Sequence, residues 1–299
     1  MRMRTIIIIV PVVALTVAGL VVAATRSRPD PVRGILVVAS TNVYGDIARQ
    51  IGGRDVSVTS ILTDPNADPH LYQPGTRSGL EVARARLLIA NGLGYDTFVS
   101  RLAAASPSGK RVLVTIADAL QVSGRDANPH LWYDVPRLAA IAGAIAGGLA
   151  RVDPGHRARY RAGVQRFLAR LAPLRRQVAA IRRAEAGAAV AYTEPVPGYL
   201  LAAAGLRNLA PPAFTRAIQN GSEPSASAVS AMTLLVARGR VRVLLYNSQA
   251  VSPITSRIRA AAADAGVPVV GVSETLPPHL DFQTWQLRQA RALAGALGL

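Results

Sequence analysis

The chain of 299 residues contains no cysteine. That excludes a disulfide, a thiolate metal ligand and a cysteine nucleophile. Lysine is almost missing: Lys110 is the only one among 34 basic side chains, and the rest are arginine. Aromatics make up 5% of the chain and histidines number four. Few aromatics with abundant alanine point to helix-rich layers packed through small side chains. Catalytic templates are missing too. No Gly-rich phosphate loop leads into Lys-Ser or Lys-Thr, no GxGxxG follows a strand, and neither GxSxG nor His-Glu-x-x-His occurs. A hydrolytic metal site needs only an open coordination position, so that class stays open, although no separate general base is evident.

The formal net charge is +17, which would suit nucleic acid or an anionic membrane surface. The basic residues are spread along the chain, many on helix-patterned faces such as Arg157, Arg159, Arg161 and Arg166. No aromatic-interleaved basic stripe marks a nucleic-acid face, so no nucleic-acid partner is expected. The arginine skew reads as codon usage of a GC-rich genome.

Arg2 and Arg4 precede an apolar run from Ile6 to Ala24, interrupted only by Pro11, Thr16 and Gly19. A positive segment followed by an apolar one is the layout of an export signal, and Val22-Ala23-Ala24 offers small residues for cleavage. The run is also long enough to span a bilayer, so an uncleaved membrane anchor is the alternative. A lipid-anchored form would need a cysteine at the end of the run. Residues 1–33 are therefore expected to be an export signal or anchor plus a tether, with the remainder outside the cytoplasm, in the periplasm or at the cell surface.

Beyond the tether, short apolar runs alternate with helical patterns, which implies an α/β fold with parallel-type sheets. Strands are expected at Ile35–Ala39, Val56–Leu62, Leu87–Ala90 and Arg111–Ile116, within a first lobe over residues 34–134. Residues 135–187 read as connecting helices. There Asp153-Pro154 is suited to a helix start, and Tyr160, Val164, Phe167, Leu171, Leu174, Val178 and Ile181 recur at helical spacing. That predicts one long amphipathic connector, kinked at Pro173. Strands at Ala188–Tyr192, Val241–Tyr246 and Val267–Val272, with a terminal helix at Gln283–Leu297, make a second lobe over residues 188–299. A crevice is expected between the two β/α lobes.

Two stretches share one pattern: Asp68-Pro69-His70-Leu71-Tyr72 and Asn128-Pro129-His130-Leu131-Trp132. Each is a carboxylate or its amide, then Pro, His, Leu and an aromatic ring. Proline stiffens the loop and sets the direction of the imidazole that follows, as a metal site requires. Glu194 and Glu274 follow strand ends, and Asp281 comes shortly after. In open α/β sheets, ligands bind outside the carboxyl ends of strands. His70 and His130 from one lobe can thus meet Glu194 and Asp281 or Glu274 from the other. Two imidazoles with one or two carboxylates suit Zn²⁺ or Mn²⁺. Competing readings make Glu194 a helix-start acid, Asp281 an N-cap of the last helix and Glu274 a loop acid. His156 reads as a solvated residue of an Arg-rich turn, and His279 as a loop residue close to the candidate acids.

These motifs resemble the zinc/manganese solute-binding proteins of bacterial metal ABC importers, over nearly the whole exported chain. Ile51-Gly52-Gly53 before Val56-x-Val58 is similar to that family's first helix-to-strand turn. The Asp68–Pro74 and Asn128–Trp132 stretches resemble its two histidine ligand loops, and Ala90-Asn91-Gly92-Leu93-Gly94 its apolar-Asn-Gly segment. Gly198–Leu206 resembles the stretch after its third ligand, which places Glu194 in that slot. The fourth slot, an acid before the last helix, falls on Asp281, with Glu274 as the alternative. Gln73 stands where the family usually has Glu, and Glu194 where many zinc members have His; harder oxygen ligands shift the balance toward Mn²⁺. The resemblance implies lobes joined by a rigid backbone helix, with a transported Zn²⁺ or Mn²⁺ between them and a membrane permease as partner. It implies a monomer that carries out no turnover. An extracytoplasmic metallohydrolase and a metal-stabilised surface adhesion module are the alternatives.

Overall fold

The strand–helix alternation resolves into two four-stranded parallel sheets. The computed structural model describes residues 34–67, 72–124 and 126–299; the apolar N-terminal run and His70 lie outside the described residues. In the first sheet, β1 (Ile35–Thr41) sits between β2 (Val56–Leu62) and β3 (Leu87–Ala90), with β4 (Val112–Thr115) outside β3. Val37 pairs with Val58 on one side and Leu87 on the other. A strand flanked on both sides and covered on both faces must be apolar at consecutive positions, and Val37, Val38 and Ala39 are all buried. The second sheet repeats the order: β5 (Ala189–Tyr192) lies between β6 (Arg207–Asn208) and β7 (Leu244–Asn247), with β8 (Val269–Val272) outside β7.

Helix α1 (Asn42–Gly52) follows β1, α2 (Thr76–Arg84) and α3 (Thr97–Ala105) complete the crossovers of the first lobe, and the short α4 (Ile116–Ala119) follows β4. The connector is α5 (Leu138–Val152), α6 (Arg157–Arg170) and α7 (Ala172–Glu185). The expected continuous helix is broken at Leu171. Pro173 has no N–H for the carbonyl four residues back, and the Leu171 N–H instead closes a tighter turn onto Leu168 at 3.2 Å. The apolar stripe survives the break: Tyr160, Phe167, Leu174, Val178 and Ile181 are all buried. Asp153 precedes a single 3₁₀ turn rather than an α-helix, and its carboxylate accepts from His156 Nδ1 at 2.5 Å and the Tyr160 hydroxyl at 2.6 Å.

In the second lobe, α8 (Gly198–Ala203), α9 (Pro212–Gln219), α10 (Ala226–Ala237), α11 (Pro253–Asp264) and α12 (Phe282–Leu297) flank the sheet. One buried cluster runs through both lobes, from Val37, Ile47 and Trp132 to Leu200, Val243 and Trp285. Smaller clusters around Val38, Leu88 and Phe98 and around Phe214, Met232 and Ile258 cover the outer faces of the sheets. A polar seam adds to the shared core. Asn42, Asp46 and Gln50, one turn apart on α1, face residues 276–283. The Asn42 amide pairs with both backbone groups of Leu276, donating to its carbonyl at 2.7 Å and accepting its N–H at 2.9 Å. Asp46 accepts the Phe282 N–H at 3.0 Å, and Gln50 and Gln283 exchange two hydrogen bonds of 2.9 Å.

Candidate metal centre

Each sheet has the strand order 2-1-3-4, so its direction of winding reverses beside its first strand. Chain ends leaving such a switch point make a crevice at the carboxyl edge. The buried polar residues gather there. His130 is held by its own loop: Asn128 Oδ1 accepts the His130 backbone N–H at 3.0 Å and lies 2.7 Å from ring Nδ1. An amide oxygen only accepts, so Nδ1 carries a proton there, and Nε2 is the ring nitrogen that faces the two carboxylates and could ligate a metal. Asn91, just past β3, donates to the Pro129 carbonyl at 2.9 Å and fixes the loop from below. Gly92, at φ +87°, makes that turn; a Cβ there would meet Thr115 Cγ2 at 2.8 Å and Ala117 Cβ at 2.9 Å.

Nε2 of His130 lies 3.1 Å from Glu274 Oε2 and 3.9 Å from Glu194 Oε1. Both carboxylates follow strand ends of the second sheet, Glu194 past β5 and Glu274 past β8. All three side chains are buried, and one ligating atom from each falls within 4.8 Å of the others. Two carboxylates do not share a buried pocket without compensation. Part of it comes from Asn247 at the end of β7, which donates to Glu194 Oε2 at 2.5 Å and Glu274 Oε1 at 2.8 Å. The Glu274 backbone N–H donates to Gln249 Oε1 at 2.5 Å, while Gln249 Nε2 donates to the Ala67 carbonyl at 3.0 Å. Burial pushes the Tyr95 phenol well above its ordinary range, and the Glu274 charge and a hydrogen bond to Glu274 add to the rise. Tyr95 therefore remains a protonated donor. A borderline nitrogen with two hard oxygens, drawn together in a buried pocket, fits a divalent first-row ion.

Of the five candidate ligands, the structure brings His130, Glu194 and Glu274 together. His70 lies outside the described residues, which resume at Tyr72. Asp281, the first choice for the fourth slot, is elsewhere: it is the N-cap of α12, accepting the Thr284 N–H at 2.8 Å, and it pairs with Arg170. Burial raises its carboxyl, but hydrogen bonds from Thr284 and Arg170 outweigh that and leave it below the usual range. Glu274 takes its place because the loop after β8 turns inward before the chain reaches α12. His279 is exposed at φ +64° and outside the group, and His156 is tied to Asp153 at the connector turn. Asn247 and Gln249 escaped the sequence reading. The only available signal was their place after a strand end, which many asparagines and glutamines share.

Two parallel-sheet lobes with candidate ligands at facing strand ends are the layout of a two-lobed solute-binding protein. Residues 37–296 match the family described as zinc-uptake complex component A, periplasmic, and the chain belongs to that family. It is similar to the manganese-binding lipoprotein MntA of Halalkalibacterium halodurans, 30% identical over 162 residues, or 54% of this chain and 53% of that protein. It is 27% identical over 168 residues to the iron-binding protein YfeA of Yersinia pestis, covering 53% of each. The chain spans about half the length of these curated relatives. The periplasmic zinc binding protein TroA of Treponema pallidum superposes with a TM-score of 0.73 at 21% identity, over 88% of this chain and 99% of that one. FpvC of Pseudomonas aeruginosa, solved with Mn²⁺, gives 0.73 at 19% identity over 89% and 98%.

Proposed function

We propose that this chain is an extracytoplasmic binding protein that captures a single Zn²⁺ or Mn²⁺ and hands it to the membrane permease of an ABC importer. The observation that carries this reading is the convergence of His130 Nε2, Glu194 and Glu274 from opposite lobes, each side chain buried. His70 supplies the fourth ligand in this reading. Its segment begins directly after Ala67, whose carbonyl Gln249 ties to the Glu274 loop. Residues 1–33 serve as export segment and tether, 34–134 and 188–299 as the lobes and 135–187 as the connector, and the protein acts as a monomer. The metal is cargo and no turnover takes place. A hydrolase must admit an ester or phosphate to an open position on its metal; the 0–1% exposure of His130, Glu194 and Glu274 supports the cargo reading instead. The adhesion reading makes the metal structural, so that its removal would unfold the protein.

The test is titration of the metal-stripped chain with Zn²⁺ and Mn²⁺ by calorimetry, beside His130→Ala. One tight site is expected, lost in the variant while circular dichroism shows a folded protein. Binding indifferent to His130→Ala would sink the proposal. Unfolding on metal removal would favour the structural-metal alternative.

A further inference from the structure

Asn247 has no freedom left. It is fully buried at the end of β7. Its Oδ1 accepts the Gln249 N–H at 3.0 Å, and its own backbone N–H donates to Thr193 Oγ1 at 3.1 Å. A side-chain amide carries two N–H bonds in one plane. The two carboxylates take one each, Glu194 through Oε2 and Glu274 through Oε1. A flipped amide would aim its carbonyl at two carboxylates and lose the Gln249 bond, so one orientation is fixed.

This arrangement sorts the carboxylate oxygens. Those turned toward His130 Nε2 are the opposite ones, Glu194 Oε1 at 3.9 Å and Glu274 Oε2 at 3.1 Å. A carboxylate chelates an ion only when both oxygens sit about equally far from it. Tied to Asn247 by one oxygen, each glutamate turns the other toward His130 Nε2. Binding through one oxygen keeps the coordination number low, which suits tetrahedral Zn²⁺. Binding through both raises it, as hard oxygen-preferring ions such as Mn²⁺ accept more readily. Partners behind the ligands orient them and tune the metal.

We propose that Asn247 is a positioning residue that holds Glu194 and Glu274 in one-oxygen presentation and so biases the site toward Zn²⁺ over Mn²⁺. This rests on the metal-binding reading above. The test uses the whole chain as wild type, Asn247→Ala and Asn247→Ser. The serine keeps a small polar side chain there without a new charge but is too short to reach both glutamates. Dissociation constants for Zn²⁺ and Mn²⁺ come from competition with a chromophoric chelator, and coordination numbers from X-ray absorption at each metal edge. The ratio of the Mn²⁺ to the Zn²⁺ constant should fall at least tenfold in both variants, with extra oxygen neighbours around the ion. If Asn247→Ala does not fold, the polar Asn247→Ser decides alone. Equal weakening of both metals, with ratio and coordination number unchanged, would overturn the proposal and leave Asn247 a purely structural residue. A wild type that binds neither metal would overturn the metal reading itself, a failure distinct from an unchanged ratio in a wild type that binds.

Discussion

At the scale of single residues, the polar groups behind the proposed ligands matter as much as the ligands. Asn128 is the clearest case. Its Oδ1 orients the His130 ring while its Nδ2 donates to the Pro195 carbonyl at 2.7 Å, next to Glu194 and in the other lobe. Removing such a partner costs metal sites about 10–100-fold in affinity. Asn128→Ala is expected to fall in that range by chelator competition while its melting temperature moves little; unchanged affinity would assign Asn128 to loop packing alone. Asp281→Ala should do the opposite. It loses an N-cap, worth about 1 kcal/mol, and an exposed ion pair worth little, so unfolding should register the change and metal affinity should not. The contrast explains what was legible at this scale. The repeated Pro-His pattern singled out His130, a strand end singled out Glu194, and Glu274 was read only as the alternative to Asp281. Nothing local separates an acid that caps a helix from one that faces a pocket, because both Glu274 and Asp281 lie between β8 and α12. Only the path of the loop decides.

At the scale of elements, the strands that carry the site were legible because parallel strands buried on both faces must be apolar runs. Two-residue β6 was not, since period-two alternation needs more positions to show, and α9 was hidden behind Pro211-Pro212. The long amphipathic helix of the connector was read as one kinked helix and proves to be two, α6 and α7, since Pro173 withholds a hydrogen bond just after Leu171. Its packing depends on a glycine. A Cβ at Gly163 on α6 would stand 2.2 Å from the Ile51 carbonyl oxygen of α1, whereas one at Gly147 on α5 would meet nothing within 4 Å. Gly163→Ala should therefore force α6 off α1 and destabilise by about 1–3 kcal/mol. Gly147→Ala should stabilise by about 0.5–1 kcal/mol through helix propensity alone. Urea midpoints of the two variants check both; a neutral Gly163→Ala would mean that α1 and α6 yield to each other easily.

At the scale of the whole molecule, the lobes share a hydrophobic core and are latched by the α1 seam, which under the proposed function ties metal entry and release to small shifts rather than a wide hinge. The seam contains its own weak point. Burial raises the Asp46 carboxyl above its ordinary value, more than the hydrogen bonds from the Phe282 N–H and Gln50 and the nearby Arg49 charge lower it; the Asp281 charge adds to the rise. The unfolded chain titrates this group near pH ~4. The folded protein thus binds the proton more tightly, and stability depends on pH in the sense opposite to that of a salt-bridged acid. Below the unfolded value the contribution of Asp46 is fully present. As pH rises through the raised folded value, a charge has to be held in the seam and that contribution is lost. Asp46→Asn keeps an oxygen to accept the Phe282 N–H and cannot ionise. Its stability relative to wild type should rise with pH from about 4 and level off once Asp46 is ionised in both states, as read from urea unfolding across that range. A difference that stays flat would mean that Asp46 titrates in the fold as it does in the open chain, and that the latch between the lobes is insensitive to pH.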